Sequence, residues 1–177
     1  MTIDTKLQFP IGECPTSFDI TSENISNWIH VIERFPNAIE ELIKDISKDQ
    51  LNARYRPGGW TVKQVIHHCA DSHMNSFIRF KLALTEDTPT IRPYFENRWA
   101  ELSDSLDNDV ESSLLLLKAL HKKWVVLLKS LSDDDLERAF VHPEHGQKIS
   151  LGENIGIYAW HCEHHLGHVR LGILGSR

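Results

Sequence analysis

The chain of 177 residues contains little cysteine: Cys14, Cys69 and Cys162 are its three cysteines, and no CxxC spacing occurs. An odd number of widely separated cysteines argues against a disulfide framework and predicts a reducing compartment, the cytoplasm. The N-terminus also lacks a basic segment followed by an apolar stretch, so we expect no signal peptide. Cys69 and Cys162 fall in apolar helical patterns, which predicts small buried side chains rather than metal ligands.

An excess of positive charge and an uninterrupted apolar segment are missing as well. Lysine and arginine total 19 against 25 aspartate and glutamate residues, so the formal net charge is −6. An acidic domain does not attract phosphate backbones, and we therefore expect no nucleic-acid partner. The longest apolar run, residues 114–131, is interrupted by lysines and His121, which argues against a membrane partner.

Apolar residues recur instead at the spacing of long amphipathic helices. The pattern predicts four such helices, over about 25–46, 61–84, 110–131 and 151–174. Hydrophobic residues make up 41% of the chain, enough for the core of one domain covering residues 1–177. Residues 1–20 contain Pro10, Gly12 and Pro15, and we expect an extended N-terminal arm there. The sequence therefore predicts an all-α fold, a four-helix bundle.

Shorter signals subdivide the chain further. Pro36 lies inside the first long segment and predicts a break or a kink. Helix starts are marked by pairs that can form capping boxes: Ser47 with Gln50, Thr61 with Gln64, and Ser150 with Glu153. Short helices are expected near 98–102 and after Ser132. A small hairpin of residues 140–142 and 148–150 is expected just before the last helix.

Histidine is the residue that the chain has in excess, with 11 copies concentrated on the second and last long helices. The last helix carries two i, i+4 pairs, His161/His165 and His164/His168, either of which could offer two imidazoles to one ion. At about 100° per residue, His165 and His161 lie roughly 40° and 80° from the centre of the buried stripe. His168 and His164 lie roughly 100° and 140° away, so the first pair is expected to point into the bundle.

Two adjacent imidazoles are costly to bury unless each has a partner. Hydrogen bonds across the bundle are one solution, but an inward HxxxH pair within a four-histidine cluster favours a metal ion. A third ligand could come from His67, His68 or His73 on the second helix. The helical angles favour His73, at roughly 20° from the apolar centre, and do not separate the other two.

Three segments carry a family resemblance: GGWTVKQVIHHCADSHMNS at 58–76, RFKLALTEDTPTIRPY at 79–94, and WHCEHH at 160–165. Together with the early Pro-Ile-Gly-Glu at Pro10–Glu13, they resemble the YfiT branch of the DinB superfamily over essentially the whole chain. The resemblance implies a four-helix bundle with an unusual connection order and a cytoplasmic homodimer. It also implies one divalent ion per subunit, zinc in preference to nickel, held by three histidines.

Carried over position by position, the resemblance assigns the metal ligands to His68, His161 and His165. The last two agree with the helical geometry, whereas the preference for His68 over His73 rests on the resemblance alone. Three neutral imidazoles leave a coordination position open, which is typical of a catalytic site. His164 and Glu163 are candidates for proton transfer, with His168, Asp71 and His73 as further possibilities beside the ligands.

The family name predicts a metal-dependent hydrolase that activates water against a small-molecule substrate. A metal-dependent thiol S-transferase is the first alternative: the ion would activate a low-molecular-weight thiol such as bacillithiol for attack on an electrophile. A non-enzymatic metal-binding stress protein is the second alternative.

Overall fold

The structure of the chain is a computed structural model that describes residues 5–144 and 146–175. Its elements in chain order are α1 (Thr5–Gln8), α2 (Ser22–Ile43), α3 (Lys48–Leu51), α4 (Val62–Thr85), α5 (Glu96–Trp99), α6 (Glu111–Leu128), α7 (Asp133–Glu137), β1 (Ala139–His142), β2 (Gln147–Ser150) and α8 (Leu151–Gly175). The four long helices and the hairpin confirm the predicted architecture. No helix in the described part of the chain is both long and apolar enough to cross a membrane.

The four long helices pack as a bundle in which α8 and α6 each lie against both α2 and α4. Helices α2 and α4 are therefore diagonal to each other, as are α6 and α8. The two strands pair antiparallel, from Ala139 opposite Ser150 to His142 opposite Gln147. This short hairpin leads directly into α8, so the chain enters the last helix at a defined point.

Side-chain caps set where several helices begin. Ser47 with Gln50 and Thr61 with Gln64 form the predicted reciprocal capping boxes at α3 and α4. Each cap satisfies backbone N–H groups that have no partner in the first turn of a helix. Since α4 begins at Val62, its histidines lie one to three turns into a well-anchored helix.

The predicted break at Pro36 is wrong, because α2 runs unbroken from Ser22 to Ile43. Proline lacks an N–H, so the carbonyl of Ile32, four residues earlier, loses its usual helical partner. His121 of α6 supplies the replacement, with its Nδ1 2.6 Å from the Ile32 oxygen. Packing against a neighbouring helix thus compensates for the missing bond.

Three boundaries also differ from the predictions. The arm is not extended throughout, because Thr5–Gln8 forms a helical turn. Helix α2 begins at Ser22, ahead of the predicted start, because Thr21 caps it by accepting a hydrogen bond from the Asn24 N–H. The short helix predicted near 98–102 is found slightly earlier, at Glu96–Trp99. Residues 1–4 of the predicted arm and His145 of the predicted hairpin turn lie outside the described residues.

The N-terminal arm packs along α8. A Cβ atom placed on Gly167 would lie 2.7 Å from Pro10 Cγ, and one placed on Gly156 would collide with the ring of Phe18. These glycines let the arm approach the helix surface more closely than any side chain would allow. The arm therefore covers the outer side of the histidine-rich part of α8.

Candidate metal centre

Three imidazoles meet where α4 and α8 face each other. One ring nitrogen from each of His68, His161 and His165 lies within 4.8 Å of the others. The Nε2 atoms of His68 and His161 are 3.3 Å apart. His68 and His165 are 8% and 6% exposed, so the cluster is largely shielded from water.

This cluster fits a divalent ion. Zinc–nitrogen bonds of 2.0–2.1 Å in a tetrahedral arrangement place ligand nitrogens about 3.4 Å apart, close to the observed separation. Burial lowers the pKa of His68 to about 3, with His164 and His168 adding to the effect. Burial likewise holds the pKa values of His161 and His165 well below the ordinary range. The imidazoles are therefore neutral at pH 7, the form that coordinates a metal.

A second group of histidine nitrogens, from His164, His165 and His168, is equally compact and shares His165 with the first. The Nε2 of His168 lies 3.1 Å from the Gln8 carbonyl oxygen, and its Nδ1 lies 3.3 Å from His165 Nδ1. A carbonyl only accepts, so the neutral His168 ring donates from Nε2 and accepts at Nδ1. His165 Nδ1 then carries a proton, which it donates to His168 Nδ1. Neither nitrogen of His168 keeps a free lone pair for an ion, which favours the first group as the metal site.

The other two histidines of α4 have different partners. His67 Nδ1 is 2.8 Å from the Ser113 hydroxyl oxygen, and its Nε2 is 3.3 Å from the Asp107 carbonyl oxygen. His73, which the helical angles favoured, lies behind the cluster with Nε2 3.0 Å from His161 Nδ1. Of the three candidates on α4, the structure brings His68 into the cluster.

The two candidates for proton transfer lie in different surroundings. Glu163 forms an ion pair with Arg34 of α2. It is two residues from His165, about 200° around the helix, and so it lies on another face of α8. His164 borders the cluster, stacks on Trp160 with ring centroids 4.3 Å apart, and has a buried Nδ1 without a hydrogen-bond partner among the described residues. Burial lowers the pKa of His164 to about 4.

Two hydroxyl groups beside the cluster were missed by the sequence analysis. The Ser72 hydroxyl oxygen is 3.5 Å from His161 Nε2 and 3.1 Å from the Tyr158 hydroxyl oxygen. Their spacing was a usable signal, because Ser72 follows His68 by four residues and Tyr158 precedes His161 by three. His121 was also missed, since a single histidine in a lysine-rich segment carries no comparable signal.

The cysteines next to the cluster are not part of it. Cys69 and Cys162 are fully buried. Burial raises the pKa values of both thiols, which keeps them protonated. Since the thiolate is the form that binds metals and attacks electrophiles, these side chains fill space as expected.

Comparison with known proteins defines the class to which this fold and cluster belong. The sequence profile of the DinB superfamily matches residues 32–169, and the chain therefore belongs to the DinB superfamily. Within it, the chain is of the YfiT type. Its structure matches that of YfiT from Bacillus subtilis with a TM-score of 0.90 and 47% identity, over 93% of this chain and 94% of that one. That protein is described as "a probable metal-dependent hydrolase with an unusual four-helix bundle topology".

Proteins named "putative metal-dependent hydrolase" are similar over nearly their full length. One from Oceanobacillus iheyensis is 53% identical over 162 residues, which is 92% of this chain and 93% of the relative. Another, from Bacillus thuringiensis subsp. konkukian, is 54% identical over 163 residues with the same coverage. The names of these relatives and the imidazole cluster together support a metal cofactor.

Proposed function

We propose that the chain is a metal-dependent hydrolase whose divalent ion is held by His68, His161 and His165. The observation that carries the proposal is the convergence of these three ring nitrogens within 4.8 Å of one another. The relatives' names support the same reaction class. Zinc is proposed in preference to nickel, because both accept imidazole ligands and zinc readily forms open three-histidine sites.

A divalent ion with three protein ligands supplies Lewis-acid activation of a small nucleophile such as water. The chain contributes the surroundings. Its buried imidazoles are already neutral, so no ligand has to lose a proton to bind. The Ser72 hydroxyl, hydrogen-bonded to Tyr158, lies beside His161 and can orient a small-molecule substrate by a hydrogen bond. Of the two principal candidates for moving a proton, His164 borders the cluster, whereas Glu163 is paired with Arg34.

Turnover with and without a thiol tests this function. Zinc-loaded protein is assayed against ester and amide panels, and separately against electrophiles with a low-molecular-weight thiol such as cysteine. Zinc-dependent hydrolysis without thiol, lost in His165→Ala and kept in His67→Gln, is the expected result. The substitution in His67→Gln leaves the cluster intact and serves as the matched control.

Two outcomes would overturn the proposal. Zinc-dependent conjugation of the thiol without any hydrolysis would assign a thiol S-transferase. Stoichiometric zinc without turnover in either panel, together with a fourth protein ligand to the ion, would assign a metal-binding stress protein. Homodimer formation stays a prediction from the family resemblance, and a cytoplasmic location stays a prediction from that resemblance and from the cysteine pattern.

A further inference from the structure

A continuous line of imidazoles runs from the cluster through the core to the backbone of α2. His161 Nδ1 lies 3.0 Å from His73 Nε2, and His73 Nδ1 lies 2.7 Å from His121 Nε2. His121 Nδ1 lies 2.6 Å from the carbonyl oxygen of Ile32. We name this line, His161–His73–His121–Ile32, the core chain. It joins α8, α4, α6 and α2, so all four long helices contribute to it.

The protons in the core chain can point in only one direction. A neutral imidazole has one donor and one acceptor nitrogen, and a carbonyl oxygen accepts only. His121 therefore donates from Nδ1 to Ile32 and accepts at Nε2. His73 in turn donates from Nδ1 and accepts at Nε2, so His161 donates from Nδ1. The nitrogen left with a free lone pair on His161 is Nε2, the atom 3.3 Å from His68 Nε2.

The end point of the core chain depends on Pro36. The Ile32 carbonyl is available inside a continuous helix because the residue four positions later has no N–H. This carbonyl is fully buried, and His121 supplies the hydrogen bond that the proline cannot donate. Pro36 thus leaves the Ile32 carbonyl as a fixed acceptor. The direction of every proton in the core chain follows from this acceptor.

Aromatic rings keep water out of the core chain. His73 and His121 are 0% and 2% exposed. Phe35 packs on both, with ring centroids 5.1 and 5.6 Å away, and Trp124 packs on both at 6.0 and 5.8 Å. Removing one imidazole therefore leaves a buried polar atom that water does not easily replace.

A shorter line reaches the second ligand on α8. His165 Nδ1 lies 3.3 Å from His168 Nδ1, and His168 Nε2 lies 3.1 Å from the carbonyl oxygen of Gln8. We name this line, His165–His168–Gln8, the arm chain, because Gln8 ends the short helix of the N-terminal arm. Because the Gln8 carbonyl only accepts, His168 donates from Nε2 and accepts at Nδ1. His165 therefore donates from Nδ1, and its Nε2 keeps a free lone pair.

We propose that the core chain and the arm chain hold His161 and His165 in the tautomer that presents Nε2 to the metal ion. His73, His121 and His168 are then positioning residues: they act through the two ligands and do not touch the ion. The inference rests on the proposed metal centre. Outer partners of metal-bound histidines generally orient the ring and raise its basicity, and their loss costs about 10–100-fold in metal affinity.

Nuclear magnetic resonance of the zinc-loaded full chain, labelled with ¹⁵N-histidine, tests the proposal directly. Long-range proton–nitrogen spectra distinguish the Nδ1–H and Nε2–H tautomers of each ring and identify the nitrogen that binds zinc. We expect Nδ1–H on His73 and His121, Nε2–H on His168, and zinc bound through Nε2 of His161 and His165. An Nε2–H tautomer on His73 or His121, or zinc on Nδ1 of His161, would overturn the proposal.

Zinc affinity, measured by competition with a chelating dye, provides a second readout. His73→Phe removes both hydrogen bonds and is expected to weaken zinc binding about 10–100-fold. His73→Gln places an acceptor oxygen near the position of the imidazole Nε2, so a smaller loss is expected. His67→Gln, a substitution of a buried histidine outside both chains, is the matched control and should bind zinc as the wild type does. Unchanged affinity in His73→Phe would contradict the proposal.

These results separate failure of the inference from failure of the proposed function. Zinc bound by His68, His161 and His165 with different tautomers in the two chains would overturn only the inference. Expected tautomers in a protein that binds no zinc would overturn the metal centre. The tautomers of His73, His121 and His168 can be observed in either case, because none of the three is a ligand.

Discussion

The core chain and the arm chain begin at neighbouring imidazoles of one cluster, His161 and His165, and end in different surroundings. The core chain passes through two fully enclosed imidazoles and ends on the backbone of α2, with donor–acceptor distances of 2.6–3.0 Å. The arm chain has one intermediate imidazole and ends on the carbonyl of Gln8, with distances of 3.1 and 3.3 Å. His161 is therefore held by the bundle itself, and His165 by a segment packed against it.

Because of this difference, the two chains are expected to link the stability of the fold to metal binding to different extents. The core chain shares its surroundings with the largest buried side chains, among them Phe35 and Trp124. Disturbing it is expected to affect both folding and the cluster. The arm chain depends on how closely Pro10 and Gln8 approach α8, so it can loosen while the bundle stays folded.

The largest expected effect comes from removing the proposed metal ligands, two of which begin the core chain and the arm chain. His161→Ala and His165→Ala should each abolish tight metal binding, and His68→Ala should nearly do so, because two imidazoles alone hold a divalent ion weakly. Elemental analysis after gel filtration measures the effect. Full stoichiometric metal in His161→Ala would refute the ligand assignment, as would loss of metal in His164→Ala but not in His165→Ala.

Acid is expected to act strongly on the core chain of the metal-free protein. Burial lowers the pKa of His121 to about 4 and that of His73 well below its ordinary value of 6.5. The unfolded chain binds protons on these rings near pH 6.5 and the folded chain does not, so the free energy of unfolding falls as the pH drops below 6.5. The loss is about 1.4 kcal/mol per pH unit for each such imidazole until its folded pKa is reached.

Urea unfolding at about pH 7, 6 and 5 measures this dependence. His73→Gln, which lacks one imidazole of the core chain, should show a shallower fall than the wild type. Stability that stays constant between pH 7 and 5 would show that the core imidazoles are not held neutral by burial.

Crowding the arm is expected to have a smaller effect. In Gly167→Ala the added methyl group would lie 2.7 Å from Pro10 Cγ, so the arm must move away from α8. Overpacking of this kind costs about 1–3 kcal/mol. The hydrogen bond from His168 to Gln8 should weaken, and the His73 tautomer should stay unchanged.

Gly175→Ala is the matched control on the same helix, since a Cβ there meets nothing within 4 Å. Thermal unfolding and the histidine spectra together measure both effects. Altered tautomers in the core chain of Gly167→Ala would show that the two chains are not independent.

The smallest effect is expected at Glu163, outside both chains. Its partner Arg34 is half exposed, and exposed ion pairs contribute about 0–1 kcal/mol. Glu163→Gln should therefore change the free energy of unfolding by less than about 1 kcal/mol and leave zinc affinity unaltered. A double-mutant cycle with Arg34→Gln measures the pair. A large loss of turnover in Glu163→Gln alone would restore Glu163 as a proton-transfer residue.

Local signals in the sequence were sufficient for the four long helices and the hairpin, but not for the helical turn Thr5–Gln8 or for the unbroken course of α2 through Pro36. The spacing of apolar residues predicted four long helices, and the capping boxes at Ser47 and Thr61 marked two of the starts. His161 and His165 could be paired from the sequence, because an i, i+4 spacing places two side chains on one helix face whatever the helix packs against. Such features depend only on a few neighbouring residues.

Helical geometry favoured His73, and the preference for His68 rested on the family resemblance alone. The physical basis of that choice needed the tertiary structure, because it depends on which part of α8 faces each turn of α4. The same holds for His121, whose partners His73 and Ile32 are 48 and 89 residues away in the chain. Helical periodicity specifies the face of a helix but not the neighbour that meets it. By itself the sequence determined the helices and the inward histidine pair. Packing of the four helices and the arm decided which imidazole completes the cluster and which carbonyls anchor its protons, since hydrogen bonds between distant residues exist only once the helices are in place.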